Sequence, residues 1–275
     1  MIHALATMTQ VELHKISRRV DSYLLILMSF LPVFFAVGIH SGSDNFIVNL
    51  AGATCLDWIQ IMLIMLHQVF VFYMVVAIIS TRTLSSEIDD HSLALYVPRV
   101  NNRGLIYGAK SLALFIWIAA SLVAFFAVST ATYYAFLTTD ATLTSRDFAD
   151  TSRLSQQLAV LASVGLFLML SLSLALCLST YLRPLPCIGS AVLVMAILSF
   201  SSGYAPMAYA SPQFYLGRML DLLGNEISSG GQPLMSIPLF TDDFMIVFLL
   251  CCGVSLAWMT LSAVLGVVKF RSRDL

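Results

Sequence analysis

Side chains able to do acid–base, ligand or ion-pair chemistry gather in two places in this sequence. The first is His67-Gln68, inside the apolar run WIQIMLIMLHQVFVFYMVVAIIS that begins at Trp58. Polar groups at membrane depth are costly and often functional, so His67 could line a path or relay a proton, with Gln68 facing the same path. A single His without a second ionisable group has a simpler reading, a hydrogen bond that locks one helix against another.

The second place is the stretch TRTLSSEIDDHSLALYVPRVNNRGLIYGAK, residues 81 to 110, a charged island between two long apolar runs. Glu87, Asp89, Asp90 and His91 are predicted on a short helix that continues through Ser92-Leu93-Ala94-Leu95-Tyr96-Val97 and stops at Pro98. Asn101-Asn102 reads as a turn, and Arg103 and Lys110 flank the approach to the next run. A loop that only fixes topology needs basic residues alone. Acids placed beside Leu93, Leu95 and Tyr96 instead suit docking into another protein.

Other chemistry is missing its residues. There is no HExxH and no pair of acids at membrane depth, as an intramembrane hydrolase would need. There is no Gly-rich phosphate loop, so nucleotide hydrolysis by this chain is not expected. Of the five cysteines, Cys177, Cys187, Cys251 and Cys252 fall within or at the ends of apolar runs, Cys55 stands alone, and no CxxC occurs. They read as small buried apolar residues, and neither a metal site nor a cofactor is expected in this chain.

The elements that must position these groups are membrane helices. Hydrophobic residues make up 59% of the 275 and charged residues 11%, too apolar a mixture for a soluble domain to cover. Six stretches reach the roughly 20 apolar residues that cross a bilayer: about 22–40, 58–80, 111–136, 157–181, 185–205 and 244–268. In lipid such runs must be helical, which makes the expected fold an all-α integral membrane protein. No linker divides it, so residues 1–275 read as one transmembrane domain.

With the N-terminus cytoplasmic, eleven Lys and Arg residues fall inside and only Arg146, Arg153 and Arg218 outside. That bias places both ends in the cytoplasm. The first apolar run is too long for the core of a signal peptide and is expected to stay as span one, interrupted by Pro32. Ahead of it, Leu5, Met8, Leu13, Ile16 and Val20 advance by three to five with basic residues between them. That pattern suits an amphipathic helix along the inner leaflet, although Val11 and Glu12 blur it. Residues 181–186 read as a tight turn with prolines, joining spans four and five as a hairpin. The outside segment from Ala205 to Asp243 is unusually apolar, and Pro212 to Leu223 suits a short helix dipping into the outer leaflet.

On these residues the chain resembles the type-2 ABC transporter permeases, the membrane subunits of ATP-driven exporters. The resemblance is carried by Glu87 after span two, Ser92-Leu93 five residues on, Pro98, Arg103 and then Lys110 opening span three. It extends to the layout of six spans, both ends inside, an N-terminal interfacial helix and short re-entrant helices before span six. The sequence departs from the family in having His91 where Gly is common before the hydroxyl, and in the wide spacing of Pro98 from Arg103.

The resemblance implies that the island is a coupling helix seated on a separate cytoplasmic subunit that binds ATP and Mg. Docking would fall to Glu87, Asp90, His91, Ser92, Leu93, Leu95 and Tyr96. A second copy, or a related permease, would face this one across the pathway. Membrane lipid is the other expected contact, and nucleic acid is not expected. The location implied is a cell membrane, most simply the bacterial plasma membrane. Spans with almost no fixed charge suit an amphipathic cargo such as a peptide, lipid or drug-like molecule. The alternatives are an ion-coupled carrier or channel, the membrane anchor of a sensor and, less well supported, an intramembrane enzyme.

Overall fold

A computed structural model describes residues 2–41, 52–91, 103–138, 144–204, 206–223 and 243–272, and no strand forms among them. Among the described residues ten α-helices carry the fold: α1 (Ile2–Ser17), α2 (Tyr23–Met28), α3 (Leu31–His40), α4 (Cys55–Gln68), α5 (Val71–Asp89), α6 (Arg103–Thr132), α7 (Leu154–Ser179), α8 (Pro184–Ser201), α9 (Pro212–Leu222) and α10 (Phe244–Ser272). Six helical segments of the described residues are long and apolar enough to cross a membrane: Val20–His40, Val71–Asp89, Arg103–Leu137, Leu154–Ser179, Pro184–Ser201 and Phe244–Ser272. This is a helical protein of multi-pass membrane type. Large apolar side chains such as Leu249, Val264, Leu193 and Phe200 are exposed along α10 and α8. Such faces are stable only against lipid or another protein.

The helices sort by how much of themselves they hide. In α7, 78% of the apolar stretch is buried, against 17% in α10 and 22% in α8, so α7 is the centre of the bundle. It packs against α10, α5, α8 and α4. By contrast α10 buries a single stripe, including Val247, Cys251, Ser262, Gly266 and Phe270, at the spacing of one helix face. Gly266 is where that stripe comes closest. A Cβ there would fall 3.3 Å from the Cα of Cys177 and into the Tyr107 hydroxyl, so only a bare Cα lets α6, α7 and α10 meet. Ser262 adds a contact of 2.6 Å to Ser173 of α7. Gly253 is different, since a Cβ added there meets nothing within 4 Å.

Two of the expected spans are broken. The first turns through a 3₁₀ segment (Val20–Ser22) into α2, breaks at Ser29-Phe30 and resumes as α3 with Pro32 in its first turn. A proline fits there because the first-turn amides have no partner within the helix. In the second, α4 ends at Gln68 and α5 begins at Val71, with Phe70 at φ 58° between them. No Gly or Pro marks this break. A bulky residue at positive φ is held only when its surroundings over-determine it.

The ends of the helices are fixed by local chemistry. At the start of α4, Thr54 and Asp57 form a capping box, and Asp57 also accepts a hydrogen bond of 2.6 Å from Gln157 at the start of α7. The hydroxyl of Tyr133, in a π-helical turn that ends α6, lies 2.7 Å from the Ala53 carbonyl and 2.6 Å from that of Ser145. It ties together the chain on either side. The hairpin between α7 and α8 is anchored by Ser85 of α5, which donates to the Leu182 carbonyl at 2.7 Å.

Candidate functional site

The charged cluster lies where α1, α5 and α6 meet. Lys110, in the second turn of α6, is 1% exposed, and its ammonium is 2.8 Å from Glu12 of α1 and 2.7 Å from Glu87 of α5. Lys15 of α1 completes the group, 2.9 Å from Glu12 and 3.5 Å from Glu87. Among the described residues two cations and two carboxylates therefore alternate in one partly buried ring, and their formal charges cancel. Taking such charges from water is costly, and the geometry must return that cost through short, multiple hydrogen bonds. Burial alone would raise the Glu12 carboxyl, but Lys110 and Lys15 hold it below the ordinary carboxylate value.

Glu12 is the residue that blurred the amphipathic pattern of α1. Thr9, Glu12 and Ile16 are buried at spacings of three and four, so the acid lies on the face that packs on α6. An acid on the packed face of an otherwise basic helix was the available signal, and it could be recognised only once Lys110 was seen to face it. Glu87 and Asp89 belong to the last turns of α5, so they continue span two and do not start a separate helix. The helix stops one residue later, and His91, at φ 54°, takes the left-handed conformation that often follows a helix end. Asp90 and His91 are exposed. Ser92, Leu93, Leu95, Tyr96 and Pro98 lie outside the described residues. Arg103 donates to the Arg271 carbonyl at 3.3 Å.

The second region is the break between α4 and α5. His67 is 3% exposed. Its Nδ1 meets the hydroxyl of Tyr73 across the break, and its Nε2 meets the amide oxygen of Gln213 on α9. Both contacts are satisfied by a neutral imidazole in which Tyr73 donates to Nδ1 and Nε2–H donates to Gln213. The ring also stands edge-on to Phe167 of α7 at 4.8 Å. His67 thus pins three elements, while its neighbour Gln68 is exposed. Neither Tyr73 nor Gln213 could be assigned to His67 from spacing, because the break that turns Tyr73 back has no sequence marker.

Gln213 reaches His67 because the start of α9 lies deep among the helices. Trp258, about halfway along the 29-residue α10, donates to the Ala210 carbonyl just before α9 at 2.8 Å. Ser211 donates to the Leu198 carbonyl of α8 at 2.6 Å. Pro212 then occupies the first turn of α9, where its missing N–H costs nothing.

The two regions are joined by one helix. Tyr73 and Glu87 stand near opposite ends of α5, about 21 Å apart at 1.5 Å per residue. Among the described residues, no group of three or more His, Cys, Asp or Glu side chains is placed to hold a metal. The chain matches no protein-family model and no curated protein.

Proposed function

We propose that this chain is the membrane permease subunit of an ATP-driven exporter of the type-2 kind, moving an amphipathic peptide, lipid or drug-like molecule. The observation that supports it best is the contact of Glu87 with Lys110 at 2.7 Å. These two residues bound the motif that carries the family resemblance, and their pairing fixes the end of α5 against the start of α6, and so anchors the docking loop, residues 90–102, on both sides. A separate cytoplasmic subunit binding ATP and Mg docks on that loop, through Asp90, His91 and the segment from Ser92 to Tyr96. Glu87 then belongs to the anchor of the docking loop and not to its contact surface.

In this reading both chain ends are cytoplasmic, α1 lies along the inner leaflet and α9 re-enters from the outer side. Movement of the docking loop is carried by α5 to the break at Val69-Phe70, where His67 ties it to α9. A second copy faces this one across the pathway, onto which the exposed Gln68 opens. The test is purification from the native host. An ATP-binding chain should co-purify and be lost when Asp90 and His91 are both replaced by Ala; isolation of the permease with no such partner contradicts the reading.

A second reading, an ion-coupled carrier, is favoured by the two interrupted spans with an ionisable residue at one break. Both interruptions fall in the first two spans, whereas carriers of that design repeat them in matching halves. Transport that persists without nucleotide and collapses with the proton gradient would support it.

A further inference from the structure

The breaks in the first two spans enclose a cavity of about 200 Å³. Its walls include Pro32 and Phe35 of α3, Met62, Met65 and Val69 along α4 and its break, and Phe125 of α6. Every lining residue among the described ones is apolar. We propose that this cavity is a binding site for one compact hydrocarbon group, the end of an alkyl chain or a single ring. The proposal stands apart from the permease reading and does not depend on it.

Water is a poor occupant, because a buried water needs two to four polar partners and the described walls provide no polar side chain. The polar groups at the breaks are turned elsewhere. Ser29 donates toward the carbonyls of Leu25 and Ser121, and His67 is engaged by Tyr73 and Gln213. A vacant space would deprive its lining atoms of dispersion contacts, which a hydrocarbon restores. The size fits, since an apolar cavity of roughly 150 Å³ takes up benzene. Two unbranched methionine side chains can adjust to the shape of whatever enters.

Entry requires no unfolding. Val69, at the break itself, is 63% exposed and forms part of the wall, so the cavity reaches the surface there. A group lodged between Pro32 and Val69 touches both interrupted spans and bears on the relative placement of α3 and α5. Chemistry of this kind can come from a lipid chain or from a small apolar molecule dissolved in the bilayer.

The test uses the full chain labelled with ¹³C at the methionine methyls, in lipid nanodiscs, titrated with benzene and with n-hexane. The Met62 and Met65 methyl resonances should shift saturably, while most of the other eleven among the thirteen methionines report only unsaturable partition into lipid. Val69→Trp closes the mouth at an exposed position and should weaken the saturable shift at least about tenfold. Leu31→Phe, which fills the space from within, should do the same. A nuclear Overhauser contact from lipid chain-end methyls to Met65 before probe is added, displaced by benzene, makes the bilayer the source. Saturable probe binding without that contact makes a small apolar molecule dissolved in the bilayer the source. Shifts that never saturate, or that survive unchanged in both variants, overturn the proposal.

Discussion

The two ends of α5 hold their neighbours by opposite means. At the Glu87 end, four formal charges from three helices neutralise one another at 2.7–3.5 Å. At the Tyr73 end, neutral hydrogen bonds and ring contacts tie His67 to α5, α7 and α9 around a backbone break. A charge cluster gives a strong, all-or-none lock, since removing one member leaves a buried charge uncompensated. Neutral bonds between membrane helices are worth less each, because the separated helices find other partners. One end is therefore built to stay together and the other can rearrange at modest cost, with a continuous helix between them.

The largest expected effect comes from breaking the charged end. Lys110→Met leaves Glu12 and Glu87 with two negative charges against Lys15 alone and should destabilise the protein by about 3 kcal/mol, read as a fall in unfolding temperature in detergent. A double variant, Lys110→Met with Glu12→Gln, should recover part of that loss, since one uncompensated charge goes with it. At the broken end, His67→Phe keeps the ring contact with Phe167 but gives up both hydrogen bonds. A loss of about 1–2 kcal/mol is expected in the same assay.

Acid sharpens the contrast further. The folded-state value of the Glu12 carboxyl is lowered, so its contribution is complete above the ordinary carboxylate value and is lost as pH falls through the lowered one. Stability measured from pH 7 downward should therefore fall in the acid range, and the fall should be shallower in Glu12→Gln. The smallest effect is expected for Asp89→Asn. Asp89 and Arg183 meet at 3.9 Å with side chains 50% and 84% exposed, and such a pair changes stability by no more than about 0.5 kcal/mol. A large loss there would show that charge at this end matters irrespective of burial.

Much of the architecture was legible because lipid permits so few solutions. Long apolar runs had to be helices, and the prolines of residues 184–186 had to begin one. The observed helices α4–α5, α6 and α10 extend past the apolar runs at 58–80, 111–136 and 244–268 by several residues, since polar ends such as Glu87 and Lys110 remain helical while bonded to each other. Within the site, Glu87, Lys110 and His67 stood out by type alone. What sequence did not reveal was pairing. Glu12 looked like a blemish in α1, and Gln213 like one polar residue in an outside segment, because each acquires its role from a helix far away in the chain. The break at Phe70 was hidden for a different reason. Neither Val69 nor Phe70 is a helix breaker, so the conformation is imposed by packing and by the bonds of His67, not by local preference.

A continuous α5 should carry a disturbance of the charged lock to the break at Phe70. Hydrogen exchange in the Lys110→Met protein tests it most directly, read at the amides of Val69 and Met74, which flank the break and bond to the carbonyls of Met65 and Phe70. Both amides should exchange faster than in the unaltered protein although the substitution lies near the far end of α5, with amides in the middle of α10 unchanged. If the α1 amides open while Val69 and Met74 keep their protection, the two ends are independent and the link is refuted.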